Sequence, residues 1–123
     1  MRLQDILSLT QAQFFGLDPA PAVVNREVRL GFGADLMSDV LRYDVAQGLM
    51  ITGLVNPQIV RTAEMADAAA ILIVRGKIPP PETNDLAGRV GIPIMGTEMS
   101  MFEACGRLYQ AGLPPARRQD EVG

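Results

Sequence analysis

The sequence has no histidine and only one cysteine, Cys105, among its 123 residues. Without histidine there is no His-based catalytic triad, and a single cysteine forms neither an internal disulfide nor a Cys/His zinc site. Most familiar hydrolase chemistries are excluded with them. We therefore expect no catalytic residues, no metal site and no cofactor. A small enzyme that uses carboxylates alone is the alternative that ranks last.

The chain also lacks a net positive charge and long apolar runs. The net charge of −3 gives no positive field to attract nucleic acid, so we expect no nucleic-acid partner. Nowhere do about 18 apolar residues run together, as a membrane span requires, and Asp5 interrupts what would have to be the apolar part of a signal peptide. We expect a cytoplasmic protein with no membrane partner.

What the sequence does have is the composition of one globular domain. Hydrophobic residues make up 48% of the chain and charged residues 20%, and the length matches a single domain of roughly 100–150 residues. The segment after residue 113 begins with Pro114 and Pro115 and is mostly polar. We predict one α/β domain over residues 1–113 and a flexible tail over residues 114–123.

Short apolar runs alternate with segments of helical periodicity, which is typical of a parallel sheet covered on both faces. The most apolar run, residues 69–74, predicts a central strand. The pattern as a whole predicts strands at 23–30, 48–52, 69–74 and 92–95, and helices at 3–9, from about 35, after 56, at 82–90 and at 100–110. The predicted fold class is α/β, with three layers and a mostly parallel sheet between helices.

Residues 33–113 resemble the DRTGG domain family. Three stretches carry the resemblance: GADLMSDV at 33–40, the strand-to-strand block at 49–79, and the segment that starts with IPIMGT at 92–97 and continues through the last helix. The family is named for an Asp-Arg pair after one strand and a Thr-Gly-Gly after the next. At the first position this sequence has Val55 and Asn56, and at the second it has Val74, Arg75 and Gly76.

The resemblance implies a sheet similar to that of the amino-terminal domain of HPr kinase/phosphorylase. It also implies a regulatory role and a homodimer, because the family is associated with dimerisation and with regulation by adenine nucleotides in pyrophosphatases that contain CBS domains.

The candidate ligand site follows from where the strands end. In an open parallel sheet, ligands bind at the carboxyl ends of the strands, where loops and helix amino termini meet. The carboxyl ends of three predicted strands can be located in the sequence, and they predict a site for a small anionic ligand. Its predicted residues are Asn56, Arg75, Gly76, Lys77 and Thr97. Arg75 offers a bidentate fork that stands in for the Arg missing at position 56, and Gly76 lets backbone amides approach closely.

The same residues also have a purely structural interpretation. Asn56 is then a helix cap and Gly76 a turn residue, and Arg75 and Lys77 are cations exposed to solvent. Asp35 and Asp39 are four residues apart, a spacing that suits an acid/base or metal pair, but a solvated helix face explains them better. Cys105 lies on an apolar helix face and is expected to be an inert thiol.

The sequence therefore predicts a non-catalytic regulatory module. It senses a small anionic ligand, with an adenine nucleotide among the candidates, or it binds a partner protein. The alternative is a purely structural dimerisation or scaffold subunit of a metabolic or redox complex, without a ligand. A homodimer is expected in both cases.

Overall fold

The computed structural model describes residues 1–15, 20–36 and 40–119. Its helices and strands alternate along most of the chain, as a βαβ fold requires. The helices are α1 (Leu3–Thr10), α2 (Pro21–Val24), α3 (Gln58–Met65), α4 (Pro81–Val90) and α5 (Met101–Gln110). The strands are β1 (Gln13–Phe14), β2 (Gly31–Gly33), β3 (Tyr43–Asp44), β4 (Leu49–Thr52), β5 (Ala70–Ile73), β6 (Ile94–Gly96) and β7 (Arg117–Arg118).

Five strands form one sheet in the order β1-β6-β5-β4-β2. The pairs β2–β4, β4–β5 and β5–β6 are parallel, and β1 lies antiparallel to β6 at one edge. All eight residues of β4 and β5 are buried, because helices cover both faces of the sheet at its centre. The predicted α/β class with a mostly parallel sheet is confirmed.

The two faces of the central strands divide the core between two helix layers. Leu49, Ile51 and Leu72 belong to the cluster that includes Leu3 of α1 and Leu108 of α5. Side chains alternate along a strand, so Met50, Ile71 and Ile73 point the other way. They pack against α3 and α4, which contribute Ile59, Val60, Ala63, Leu86 and Ala87. The domain thus has the three layers that the sequence predicts.

The helix ends follow local chemistry that the sequence shows. Gly91 ends α4 with a φ of 77°, a left-handed conformation that glycine adopts without steric cost. Ser100 caps the amino terminus of α5, because its hydroxyl oxygen accepts a hydrogen bond from the Glu103 N–H. These signals predicted both boundaries to within a residue or two.

The strand predicted at residues 23–30 is wrong. Val23 and Val24 lie in the short helix α2, which begins at Pro21, and the strand is β2, displaced to Gly31–Gly33. Val28 and Leu30 are buried just before it, outside any strand. Proline at the first position of a helix is preorganised for it, and this local preference prevails over the β-branched side chains that follow.

The helix predicted from about residue 35 falls partly outside the described residues, since 37–39 are among those not described. The sequence pattern places Leu36, Val40 and Leu41 on one side of this helix. Val40 is buried, whereas Leu36 and Leu41 are 64% and 62% exposed.

The described part of the segment predicted as a tail, residues 114–119, is paired with the rest of the chain. Gly31 donates its N–H to the carbonyl of Pro114, and Ala116 donates to the carbonyl of Gly31. β7 then pairs antiparallel with β3. The segment buries little side chain, but the outer side of β2 offers unpaired backbone groups, and pairing with them holds the segment in place.

Gly48, at the turn into β4, provides a test of how tightly the chain is packed at the start of this strand. A Cβ on Gly48 would lie 2.8 Å from the carbonyl oxygen of Val45 and 2.5 Å from Cδ1 of Leu30. Gly48→Ala is therefore expected to lower the free energy of unfolding by about 1–3 kcal/mol, since backbone must move to admit the methyl group. Urea denaturation followed by circular dichroism measures the change.

The matched control is Gly106→Ala. Gly106 lies in the middle of α5, and nothing lies within 4 Å of its added Cβ. Because alanine loses less backbone entropy in a helix, this substitution should raise the free energy of unfolding by roughly 0.5–1 kcal/mol. Equal changes in the two variants would contradict the packing described for Gly48.

Candidate functional site

The carboxyl ends of β2, β4, β5 and β6 meet at one edge of the sheet, which we call the carboxyl edge. Thr52, the last residue of β4, is paired with Ile73 of β5, and Ile73 is paired with Gly96 of β6. The loops that follow these strands are therefore neighbours. They carry all five residues that the sequence predicts for the ligand site.

Arg75 reaches from the end of β5 across to the end of β4. A Cβ placed on Gly53 would lie 2.5 Å from a terminal guanidinium nitrogen of Arg75 and 3.4 Å from its central carbon. The guanidinium therefore lies directly against the α-carbon of Gly53. Arg75 as a whole is exposed, so the planar fork lies at the surface of the carboxyl edge, between two strand ends.

The backbone of Arg75 has an unusual conformation for a residue with a long side chain. Its φ is 65° and that of Gly76 is 66°, so two consecutive residues are left-handed. The turn is held by the loop after β6, because the Arg75 N–H donates to the Met99 carbonyl and the Gly76 N–H donates to the Thr97 carbonyl, each at 2.8 Å. A non-glycine residue in this region costs roughly 1–2 kcal/mol.

Glu98 repeats this arrangement one strand further along. The carboxylate of Glu98, in the loop after β6, lies against the α-carbon of Gly76, where an added Cβ would collide with it. At each of two strand ends, then, a charged side chain from the next strand's loop covers a glycine. The sequence identified Gly76 as a site residue but did not indicate that Glu98 lies on it.

Asp35 adds a second carboxylate to the carboxyl edge. Its Oδ1 accepts a 3.1 Å hydrogen bond from the hydroxyl of Thr52, and the Thr52 oxygen in turn accepts one from the Leu54 N–H. Sequence reasoning assigned Asp35 to a solvated helix face; it is exposed, but it is bonded to the end of β4. Its position just after β2 was the signal for this placement, since neighbouring strands end at the same edge.

Thr97 lies at the carboxyl edge but is buried. Its hydroxyl donates to the Thr10 carbonyl and accepts from the Met99 N–H, so its one donor and one of its two lone pairs are used inside the protein. Asn56 is exposed in the loop after β4, and its carbonyl accepts from the Ile59 N–H near the start of α3. Lys77 is also exposed.

The carboxyl edge thus brings together the predicted cations and two unpredicted carboxylates. Arg75 and Lys77 supply positive charge, and Asp35 and Glu98 supply negative charge. A guanidinium fork is suited to binding a carboxylate or phosphate through two parallel hydrogen bonds. Asp35 is bonded to the end of β4 and Glu98 lies on Gly76 after β5, so the two carboxylates belong to neighbouring strand ends.

A second feature is a groove of about 360 Å³ between β2, α5 and residues 113–115, which we call the apolar groove. Phe102 and Tyr109 of α5 line it and are 90% and 69% exposed. The spacing of Phe102, Cys105, Leu108 and Tyr109 in the sequence predicts that they share one face of α5, and all four line this groove. Cys105 is half-buried there, and burial raises the pKa of its thiol.

No protein-family model matches the chain, and no curated protein matches it. Among solved structures, it is similar to the CBS and DRTGG domains of the regulatory region of Clostridium perfringens pyrophosphatase, complexed with the activator diadenosine tetraphosphate. The TM-score is 0.64 at 15% sequence identity, over 99% of this chain and 53% of that one. This chain therefore spans about half of that structure's length, and the likeness shows a shared, DRTGG-like fold.

None of the helices in the described ranges is long and apolar enough to cross a membrane. Within the same ranges, no three side chains of the Asp, Glu, Cys and His types are grouped so that they could hold a metal ion.

Thr97 provides a test of how the carboxyl edge is held together. Thr97→Val keeps the shape of the side chain but leaves the Thr10 carbonyl and the Met99 N–H without their partner. Because both groups are buried, the free energy of unfolding should fall by about 1–3 kcal/mol. Thr97→Ser keeps the hydroxyl and is the control; chemical denaturation that finds the valine variant as stable as the serine variant would contradict these hydrogen bonds.

Proposed function

We propose that this protein is a regulatory module that binds a small anionic ligand at the carboxyl edge, through Arg75, Gly76 and Lys77, with Asn56 and Thr97 bordering the site. The observation that carries the proposal is the left-handed backbone of Arg75. Residues kept in strained conformations cluster at ligand sites, where the surrounding structure holds a side chain that the local backbone disfavours.

The strain has a specific implication because other residues would relieve it. Glycine and asparagine adopt a φ near 65° at little cost, so the turn alone has no need of an arginine. What arginine adds is a guanidinium placed between two strand ends, over Gly53. When a phosphate or carboxylate group takes the place of Gly53 as the partner of the Arg75 guanidinium, the guanidinium gains two charge-assisted hydrogen bonds.

The DRTGG-like fold supports the proposal of a regulatory function. The similar structure belongs to the regulatory region of a pyrophosphatase and is complexed with a polyphosphate-containing activator. An adenine nucleotide is therefore the first ligand to be tested here. We also propose that the fold is similar to that of the amino-terminal domain of HPr kinase/phosphorylase. We further propose that the protein is cytoplasmic.

The test is Arg75→Asn, after a thermal-shift screen of nucleotides and acyl phosphates has found a ligand. A charge-assisted contact contributes about 1.5–3 kcal/mol, so affinity measured by calorimetry should fall roughly ten- to a hundredfold. Since asparagine tolerates the left-handed conformation, the melting temperature of the free protein should stay unchanged or rise.

Gln47→Asn is the matched control, because Gln47 is also left-handed, with a φ of 60°, but lies at the turn before β4, away from the carboxyl edge. It should relieve strain without any effect on affinity. If Arg75→Asn binds the ligand as tightly as the original protein, the site assignment is wrong. If no anion in the screen raises the melting temperature, anion sensing itself is wrong.

The alternative function is a structural dimerisation subunit, or one that docks on a partner protein. It is favoured by the apolar groove, whose Phe102 and Tyr109 rings are largely in solvent. Large exposed apolar patches on small proteins mark interaction surfaces. A second copy of the chain is the occupant that we propose, because it would cover the same groove on both subunits.

Light scattering at tens of micromolar is expected to give the mass of a homodimer. Phe102→Ser removes the most exposed aromatic ring and should shift the population towards monomer, while Met65→Ser, at an exposed apolar residue of α3 on the other face of the sheet, should leave the mass unchanged. A monomer in the unsubstituted protein would rule out the dimer. A dimer that is unaffected by Phe102→Ser would place its interface elsewhere.

A further inference from the structure

The loop after β6 is fastened at two points to the left-handed turn after β5. The Gly76 N–H donates to the Thr97 carbonyl at 2.8 Å, and the Arg75 N–H donates to the Met99 carbonyl at the same distance. Thr97 and Met99 are both buried, and the Met99 N–H donates to the Thr97 hydroxyl. Glu98 is the residue between these two anchors. Its backbone therefore has a fixed place beside the turn.

The side chain of Glu98 lies over the open face of Gly76. From the position of a Cβ added to Gly76, the carboxyl carbon of Glu98 is 3.0 Å away and its Oε1 is 3.2 Å away, with Oε2 closer still. Both carboxylate oxygens thus lie against the α-carbon of Gly76. The carboxylate fills the space that a side chain at position 76 would occupy.

No bond inside the described part of the chain accounts for a carboxylate at this place. Among the described residues, the Glu98 side chain has no hydrogen bond and no salt bridge, and Glu98 is exposed. It is not the acceptor for the Gly76 N–H either, because that group donates to the Thr97 carbonyl. An exposed charge without a partner contributes little to stability. The fold therefore needs the loop around Glu98 but not its negative charge.

We propose that Glu98 is an autoinhibitory residue of the anion site, because its carboxylate occupies the place beside Gly76 that the anionic group of a ligand takes. This inference rests on the proposed function and adds a form of regulation to the same site. The two N–H groups of the turn are used by the loop after β6, so a ligand reaches the turn at the α-carbon face of Gly76. On that face an anion meets a like charge, which opposes its binding.

The inhibition is reversible, because the side chain moves independently of its backbone. The anchors of the loop are backbone groups and the Thr97 hydroxyl, and none of them involves the Glu98 carboxylate. The side chain of an exposed residue changes rotamer within nanoseconds. A ligand that gains enough from Arg75 and Lys77 displaces the carboxylate, and a weaker one does not.

The test is Glu98→Gln in the whole chain, with ATP and inorganic pyrophosphate as the probes. Glutamine keeps the size of the side chain and removes its charge, so calorimetry should show at least one probe bound roughly tenfold more tightly than by the original protein. Glu98→Ala, which empties the place beside Gly76, should bind at least as tightly. The melting temperature of either free variant should stay unchanged, because the carboxylate makes no bond.

Glu64→Gln is the matched control. Glu64 lies near the end of α3, where it is paired with Arg61, and its replacement changes the net charge by the same amount. It should leave the affinity for both probes unaltered. Without any ligand, the amide NMR signal of Gly76 should move in Glu98→Gln and stay in place in Glu64→Gln. Adding Arg75→Asn to Glu98→Gln should remove the gain in affinity.

The outcomes separate this inference from the proposed function. If Glu98→Gln and the original protein bind a probe equally tightly, autoinhibition is wrong and the anion site stands. If neither protein binds either probe, the proposed function is wrong and the inference fails with it. A gain that persists with Arg75→Asn, or that Glu64→Gln reproduces, also overturns the inference, because the effect then arises elsewhere. An unmoved Gly76 signal would contradict the contact itself.

Discussion

The parallel pairing of β4 with β5 is the interaction on which the rest of the structure depends. Both strands are buried along their whole length, and their side chains supply both cores. Once Leu49 is paired with Ala70, the alternation of side chains determines which residues meet α1 and α5 and which meet α3 and α4. A slip of one residue would exchange the two faces, so the register specifies both helix layers.

The same register creates the carboxyl edge. Because β4, β5 and β6 end side by side, each loop lies within reach of its neighbour, and two glycines make room for the contact. Arg75 covers Gly53, and Glu98 covers Gly76. Charged groups of both signs are thus placed at one edge by backbone pairing rather than by a motif in sequence. Such an edge, where loops and helix amino termini converge, is where open α/β sheets bind their ligands.

The parts of the fold that could be predicted are those with enough residues to show a period. β4, β5, α4 and α5 were found from apolar runs and capping residues. The strands β1, β3 and β7 have two residues each, too few for any alternation, and they exist because other segments offer unpaired backbone. The exposure of Phe102 and Tyr109 could not be predicted, because a helical pattern does not say how much of a helix a neighbour covers.

For the candidate site, the sequence could predict which loops meet but not which side chains touch. Arg75, Gly76 and Lys77 follow directly from the end of β5. The bond from Thr52 to Asp35 joins residues 17 apart and depends on the place of β2 beside β4, which no local pattern shows.

The contact of its side chain with a neighbouring strand end distinguishes Arg75 from the other left-handed residues that the structure describes. Besides Arg75, the described non-glycine residues with positive φ are Gln11, Gln47 and Asp67. Gln11 terminates α1, Asp67 follows the last turn of α3, and Gln47 makes the turn into β4, so each ends or begins an element. Helix termination alone selects a left-handed residue. Arg75 likewise follows an element, β5, but its guanidinium crosses to the end of the neighbouring strand β4 and lies against Gly53. Glycine or asparagine would serve the turn equally well, so the fold accounts for the conformation at this position but not for the arginine.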